Sequence, residues 1–407
     1  MRRKVLFLSH EASRSGAPLL LLHLLRWIRQ NSTLDFTLVL CRGGPLEHEF
    51  RELCPVVRLN RFLPGLRTSL RLVDRVGLGR MVQGLTRWLG GRFLLSRDVG
   101  LVYCNTLGNG WVLRQFLPVP PKLPVLCHVH ELCFTAAGAF GVSDIELTRQ
   151  YADTFIAASE AVRSELLSDI SICSGDVRVV HSFLGEDHGR TEVDTLALRE
   201  SLGVPHDAYV LVACGAIRSG KGADLIPTLL RLLSKRLEVL PGGRTVHLIW
   251  VGAEPPDAAG LRNEVEEDLR KLNLLNRVHF VGSQARPREY FAAADAFVLL
   301  SRSESLSLVL LEAALEEVPG VCFDATGGPK EFVEQDAGFV VPYLDLDAMS
   351  EALSRILTQS QLRHALGRRA REKVLLGYVV GVAGPNILNQ IESAMGTCAP
   401  RNHASGR

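Results

Sequence analysis

Short runs of β-branched and apolar residues alternate with helix-patterned stretches along almost the whole chain, and this alternation restricts the fold to parallel α/β units. In the first half the predicted strands are Val5–Ser9, Phe36–Cys41, Val99–Asn105, Pro124–His130, Thr154–Ala158 and Val177–His181, with Leu19–Ile28 as the first helix. In the second half they are Tyr209–Ile217, Val246–Val251, Val278–Val281, Ala296–Leu300, Gly320–Asp324 and Gly338–Val340. Most are uninterrupted apolar runs rather than alternating ones, the pattern of sheets covered by helices on both faces.

A chain of 407 residues exceeds what one hydrophobic core usually supports, and an apolar content of 47% supplies two. The polar, unpatterned stretch 185–195 reads as the linker between a domain at 1–184 and a second at 196–375. A helix at 376–395 is expected to cross back to the first domain, and 396–407 to form a disordered tail. No apolar run is long enough for a membrane-spanning helix. The run Val5–Leu8 is too short for a signal-peptide core and is ended by His10 and Glu11. Nine cysteines without a CxxC pair point to reduced thiols. Together these features predict a cytoplasmic protein.

The net charge of +2 hides an asymmetry: residues 1–100 hold 17 Lys and Arg against 7 Asp and Glu. Within them, 61–97 carries eight arginines and one acid, Asp74, interleaved with leucines and Trp88. Such a segment suits peripheral contact with an anionic membrane face. The alternative is a solvated helical pair, with glycines 77, 79, 84, 90 and 91 breaking any continuous helix. No nucleic-acid partner is expected.

Four segments could carry chemistry. The loop from Ser9 to Pro18 follows the first strand, and its Gly16 lets backbone approach a ligand. Gly215 to Lys221 matches the spacing of a P-loop, but Gly222 stands where a magnesium-holding Ser or Thr would be. What remains is Arg218 and Lys221, two cations in a Gly-rich loop suited to a diphosphate. Ser301 to Glu312 runs from a strand end into a helix capped near Ser305 or Ser307, where Ser307 and Leu308 would offer free N–H groups to a phosphate. Beside a diphosphate, Glu304 and Glu312 in this segment would accept from hydroxyls of a flanking sugar and ribose; the alternative reading is the start of an ordinary amphipathic helix. Finally, His128 and His130 share a strand face, but no third ligand has metal spacing; a single functional His at the strand end is the better reading. Asp345-Leu346-Asp347 has the DxD form of metal-dependent transferases, yet it precedes a helix where capping explains it. No metal and no cofactor are therefore expected. No GxGxxG follows a strand, which weighs against a dehydrogenase.

In this order, the segments resemble the retaining glycosyltransferase family 4, of the GT-B fold, between about Val5 and Leu388. Arg218…Lys221-Gly222 resembles the family's diphosphate loop, Glu304-x7-Glu312 its acidic signature, and Asp324 to Glu331 its following Gly-rich turn. The Gly16 loop and His130-Glu131 resemble its acceptor-side elements. Leu306 and Ser307 depart from the usual Phe-Gly or Phe-Pro, which bears on the shape of the donor pocket. The resemblance implies two Rossmann-like domains facing each other across a cleft. It also implies a nucleotide-diphosphate sugar as donor substrate, held by Gly16, Arg218, Lys221, Ser307, Leu308 and Glu312. His130, Arg218, Lys221 and Glu304 would carry transfer, with retention of configuration and no essential metal. The acceptor would be a glycan, a lipid-linked or another anionic molecule. Competing readings are a catalytically silent nucleotide-sugar-binding subunit and a GT-B-like sugar-nucleotide epimerase.

Overall fold

A computed structural model describes residues 4–59, 79–95, 98–120, 122–168, 177–239 and 243–396. Within the basic stretch, 61–78 and 96–97 lie outside the described residues, as do residues 397–407 of the expected tail. The chain forms two compact units, one of residues 1–186 with 380–407 and one of residues 187–379.

The first unit is built on seven parallel strands: β1 (Lys4–Ser9), β2 (Asp35–Leu40), β3 (Val56–Arg58), β4 (Val99–Cys104), β5 (Val125–Val129), β6 (Thr154–Ala157) and β7 (Val177–Val179). Their order is β3-β2-β1-β4-β5-β6-β7. The second unit has six: β8 (Tyr209–Cys214), β9 (Val246–Val251), β10 (Val278–Gly282), β11 (Ala296–Leu299), β12 (Gly320–Phe323) and β13 (Gly338–Val341), in the order β10-β9-β8-β11-β12-β13. Central strands are buried on both faces, as their unbroken apolar runs require; every residue of β5 and of β9 is buried. Each unit therefore has its own core, with Leu6, Val102 and Val129 in one and Leu211, Leu248 and Val298 in the other.

Three local differences from the sequence reading have physical causes. β3 is a three-residue edge strand after Pro55, too short for a periodic signal. Most of the expected linker belongs to the second unit. Thr191 donates through its backbone N and Oγ1 to the buried Glu316 at 3.0 and 2.7 Å, and Arg371 donates to the carbonyl of His188 at 2.8 Å. The helix Val380–Gly396 packs on the helix Gly16–Asn31 within the first unit.

The third difference is a correction. Residues Gly79–Phe93 form one helix that runs through Gly84, Gly90 and Gly91. Gly90 and Gly91 there are spacers. A Cβ on Gly90 would stand 1.8 Å from the carbonyl oxygen of Phe116, so only glycine lets the helix lie this close to residues 116–118. Gly84 is exposed and a Cβ there meets nothing within 4 Å. Gly84→Ala is thus expected to stabilise the fold by about 0.5–1 kcal/mol through helix propensity and a stiffer unfolded chain. Gly90→Ala is expected to destabilise it by about 1–3 kcal/mol through overpacking. Urea unfolding of both variants checks the pair, and equal effects would contradict the packing described.

Candidate functional site

In the second sheet, β9 and β10 lie on one side of β8, and β11 to β13 on the other. The connections therefore reverse direction between β8 and β11, and the carboxyl ends of these two strands flank a crevice of the kind in which open α/β sheets bind ligands. The loops leaving β8, β11 and β12 carry the charged residues singled out above.

After β8 the chain makes two single 3-10 turns, Ser219–Lys221 and Ala223–Leu225, before the helix Ile226–Glu238. Gly222 between them is left-handed, with φ +76°, and a Cβ there would meet the Leu300 carbonyl oxygen at 2.2 Å. Backbone conformation and close approach both require glycine, which is why no metal-binding hydroxyl occupies this position. The loop after β11 is pinned to it. Arg302 N donates to the Gly220 carbonyl at 2.9 Å, and the Arg302 guanidinium donates to Asp224 through two bonds of 2.9 and 2.7 Å and also to the Ser219 carbonyl. A third loop closes the set: Glu304 N donates to the Thr326 carbonyl at 2.8 Å, and Gly328 N to the Glu304 carbonyl at 3.1 Å. The Gly-rich turn after β12 thereby lies directly against Glu304.

These straps bring Lys221 and Glu304, 83 residues apart, into a charge-assisted bond of 2.5 Å between Nζ and Oε1. Arg218 instead donates to Asp257 through two bonds of 2.8 and 2.7 Å, both side chains being largely exposed. The Arg218 bond holds the Asp257 carboxyl below its ordinary range. Exposed ion pairs contribute little, so an incoming anion can recruit Arg218 at small cost. Ser307 precedes the helix Leu308–Leu315 and is buried, but its hydroxyl does not cap; the first-turn N–H groups, Leu308 included, have no side-chain cap. Glu312 lies further along that helix. Burial pushes its carboxyl up to about 7, against a lowering influence from Arg288. Cys214, at the end of β8, feels both Glu312 and Lys221, and burial pushes its thiol up to about 12.

In the first unit the same reversal falls between β1 and β4. Gly16 is exposed and opens the helix Gly16–Asn31, whose first turn has neither an acid nor a side-chain cap. His130, at the end of β5, is 7% exposed and its ring lies tilted by 39° against that of His128, with centroids 4.0 Å apart. Burial, assisted by His10, drives the His130 imidazole down to about 3, so it is neutral in ordinary solution. Burial pushes the Glu131 carboxyl up to about 8, opposed by backbone N–H groups of His130, Leu107 and Glu131 itself.

Asp345 caps the helix Leu346–Thr358, accepting from Ala348 N at 2.9 Å, while Asp347 pairs with Arg236 at 2.7 Å. The acids of the DxD sequence are thus committed to local structure. Sequence reasoning did not single out Asp257, Asp224, Arg302 or Asn105. Their partners lie 39, 78, 78 and 88 residues away, and no local pattern marks such pairs.

Residues 194–373 match the family model of glycosyl transferases group 1. A D-inositol 3-phosphate glycosyltransferase of Actinosynnema mirum is 32% identical over 272 residues, 64% of each chain. The N-acetyl-alpha-D-glucosaminyl L-malate synthase of Bacillus anthracis is 26% identical over 200 residues, 49% of each chain. The chain spans about half the length of the curated relatives it matches. Among solved structures, HepE of Anabaena in complex with UDP and glucose superposes with a TM-score of 0.73 at 19% identity, covering 96% of this chain and 100% of that one. The sucrose-phosphate synthase of Thermosynechococcus elongatus superposes with a TM-score of 0.73 at 20% identity, covering 97% and 100%. Likeness at this identity establishes the fold, and the family match lies on the unit that carries Lys221, Glu304 and Glu312. The second unit, over residues 194–373, matches the glycosyl transferases group 1, and the chain has the GT-B fold.

Proposed function

We propose that the chain transfers a sugar from a nucleotide-diphosphate sugar to a hydroxyl acceptor, with retention of anomeric configuration and without a metal ion in the step. The observation that carries this reading is the convergence of Lys221, Glu304 and the uncapped helix start at Ser307 and Leu308 on the reversal point of the second sheet. Cations and free N–H groups suit a diphosphate, and the carboxylates suit the hydroxyls that flank it. The complexes of HepE with UDP and glucose and with UDP-glucose support the choice of ligand.

In this account Lys221 and Arg218 exchange their carboxylate partners for the diphosphate and stabilise the charge that develops as it departs. Glu304 accepts from hydroxyls of the transferred sugar, and Glu312 from the ribose. Gly16 admits the substrate to the backbone of its loop, and His130 contacts the reacting sugar. The bond between the anomeric carbon and phosphate oxygen breaks as the acceptor oxygen bonds to the same face. The acceptor proton passes to the departing phosphate. Asp345 and Asp347, tied to a helix cap and to Arg236, take no part. The acceptor is a glycan, a lipid-linked or another anionic molecule, and the protein works in the cytoplasm.

Slow hydrolysis of UDP-glucose in EDTA, followed by proton NMR, tests the reaction without knowledge of the acceptor. The α anomer is expected first, and Lys221→Ala is expected to slow its release about a hundredfold, or about 3 kcal/mol of barrier. Initial β-glucose, or activity lost in EDTA and restored by Mg²⁺, would contradict the proposal.

Glu312→Gln separates binding from stability. Donor binding should weaken more than turnover, because ribose contacts are shared by ground and transition states. The folded state holds the Glu312 carboxyl above its ordinary range, so it binds more protons than the unfolded chain, and stability falls as pH rises towards about 7. The variant lacks that fall. Its Tm relative to the parent should be higher at pH 8 than at pH 4; the reverse order would contradict the burial.

The described part of the basic stretch adds a membrane contact to the proposal. On the helix Gly79–Phe93, Trp88 is 61% and Phe93 73% exposed, beside exposed Arg92. No helix among the described residues is long and apolar enough to cross a membrane. Peripheral attachment through this face predicts flotation with vesicles in proportion to their anionic lipid, reversed by salt. Flotation indifferent to lipid charge would oppose it.

A further inference from the structure

At the reversal point of the first sheet, His10 follows β1, Asn105 follows β4 and His130 follows β5. Asn105 is 1% exposed and makes two bonds of opposite polarity. Its Nδ2 donates to the carbonyl of Ala17, in the first turn of the helix Gly16–Asn31, at 2.9 Å. The amide oxygen is thereby turned to His130, with Nε2 and Oδ1 3.2 Å apart. An amide oxygen only accepts, so the proton of this contact belongs to His130 Nε2. A neutral imidazole carries one N–H, and Nδ1 is then a bare lone pair. Nδ1 is buried and has no hydrogen-bond partner among the described residues. A buried acceptor left without a donor is costly, and such groups in folded proteins call for an explanation. A ligand that supplies the donor is one.

We propose that Asn105 is a positioning residue that fixes His130 as the Nε2–H tautomer and so presents Nδ1 as the acceptor for a hydroxyl of a carbohydrate substrate. The identity of the ligand rests on the glycosyltransferase reading; the tautomer does not. The neighbouring side chains suit a neutral acceptor. His10 Nδ1 and His128 Nε2 are also buried and unpartnered among the described residues. His128 Nδ1 lies 2.6 Å from the Tyr103 hydroxyl, and the Glu131 carboxyl accepts from His130 N at 3.3 Å. Burial holds His10, His128 and His130 below the ordinary imidazole range. Protonation of His130 would place an N–H on Nδ1 and abolish the acceptor.

Long-range proton–nitrogen correlation spectra of the full chain, labelled with ¹⁵N-histidine, read the tautomer directly; the His130 signals are identified by their loss in His130→Gln. In the free parent, Nε2 should show the shift of a protonated ring nitrogen and Nδ1 that of a bare one. Adding UDP-, GDP-, ADP- and TDP-glucose in turn, the one that binds by calorimetry should move Nδ1 and leave Nε2 in place. Asn105→Ala should mix the tautomers and slow donor hydrolysis roughly tenfold with KM little changed, the worth of one hydrogen bond. Asn105→Asp should keep Nε2–H. Its carboxylate should also raise the pKa of His130, which His10, His128 and Glu131 also face and whose neighbour His128 meets Tyr103, so that activity falls as pH drops through that new value. A proton on Nδ1 in the parent would overturn the tautomer assignment, even if the variants failed to fold. A bound sugar nucleotide that leaves Nδ1 unmoved would overturn the hydroxyl contact. If none of the four binds, the glycosyltransferase reading and the hydroxyl partner fall together, while the free-protein spectrum still decides the tautomer.

Discussion

The grip of Arg302 on the loop after β8 organises the second unit's site. Its backbone N holds Gly220 and its guanidinium holds Asp224 and Ser219, while Gly222 passes against the carbonyl of Leu300. Lys221 sits between these fixed points, so its ammonium meets Glu304 rather than ranging through solvent. Without the grip, a four-carbon side chain on a glycine-rich loop would lose much of that geometry to conformational entropy. The bond network from Glu304 to the 326–328 turn extends the same constraint to a third loop. Helices and sheet supply rigid ends, and short loop-to-loop bonds set the chemistry on them.

The two units solve one topological problem with different electrostatics. Each sheet reverses its connections between two adjacent central strands, and each collects functional residues at the carboxyl ends beside that reversal. In the second unit the groups are cations already matched to carboxylates, a surface ready to exchange partners with an anion. In the first they are buried, neutral histidines and a carboxyl raised by burial to about 8. Ion pairs in one unit and neutral, buried polar groups in the other are thus the two environments at the reversal points.

Much of the fold was legible in the residues, because strands covered on both faces must be apolar throughout and so stand out as unbroken runs. What escaped was short or shaped by a distant neighbour. β3 has three residues, and Gly90 of the helix Gly79–Phe93 makes sense only beside Phe116. Lys221, Glu304 and Ser307 were visible individually as polar residues at strand ends. Their mutual arrangement was not, because Arg302–Asp224 spans 78 residues and Lys221–Glu304 spans 83. Asn105 carried no signal at all, since a buried Asn after a strand is ordinary until its two partners are known.

The central claim is that the nucleotide diphosphate sugar is held where the β8, β11 and β12 loops are strapped together. Hydrogen–deuterium exchange with and without saturating UDP tests it most directly, because amides that bind phosphate or lie beneath the ligand gain protection. The account predicts new protection concentrated in residues 215–222, 302–309 and 324–328. Protection confined to other segments, with these three unchanged while UDP is bound, would contradict it.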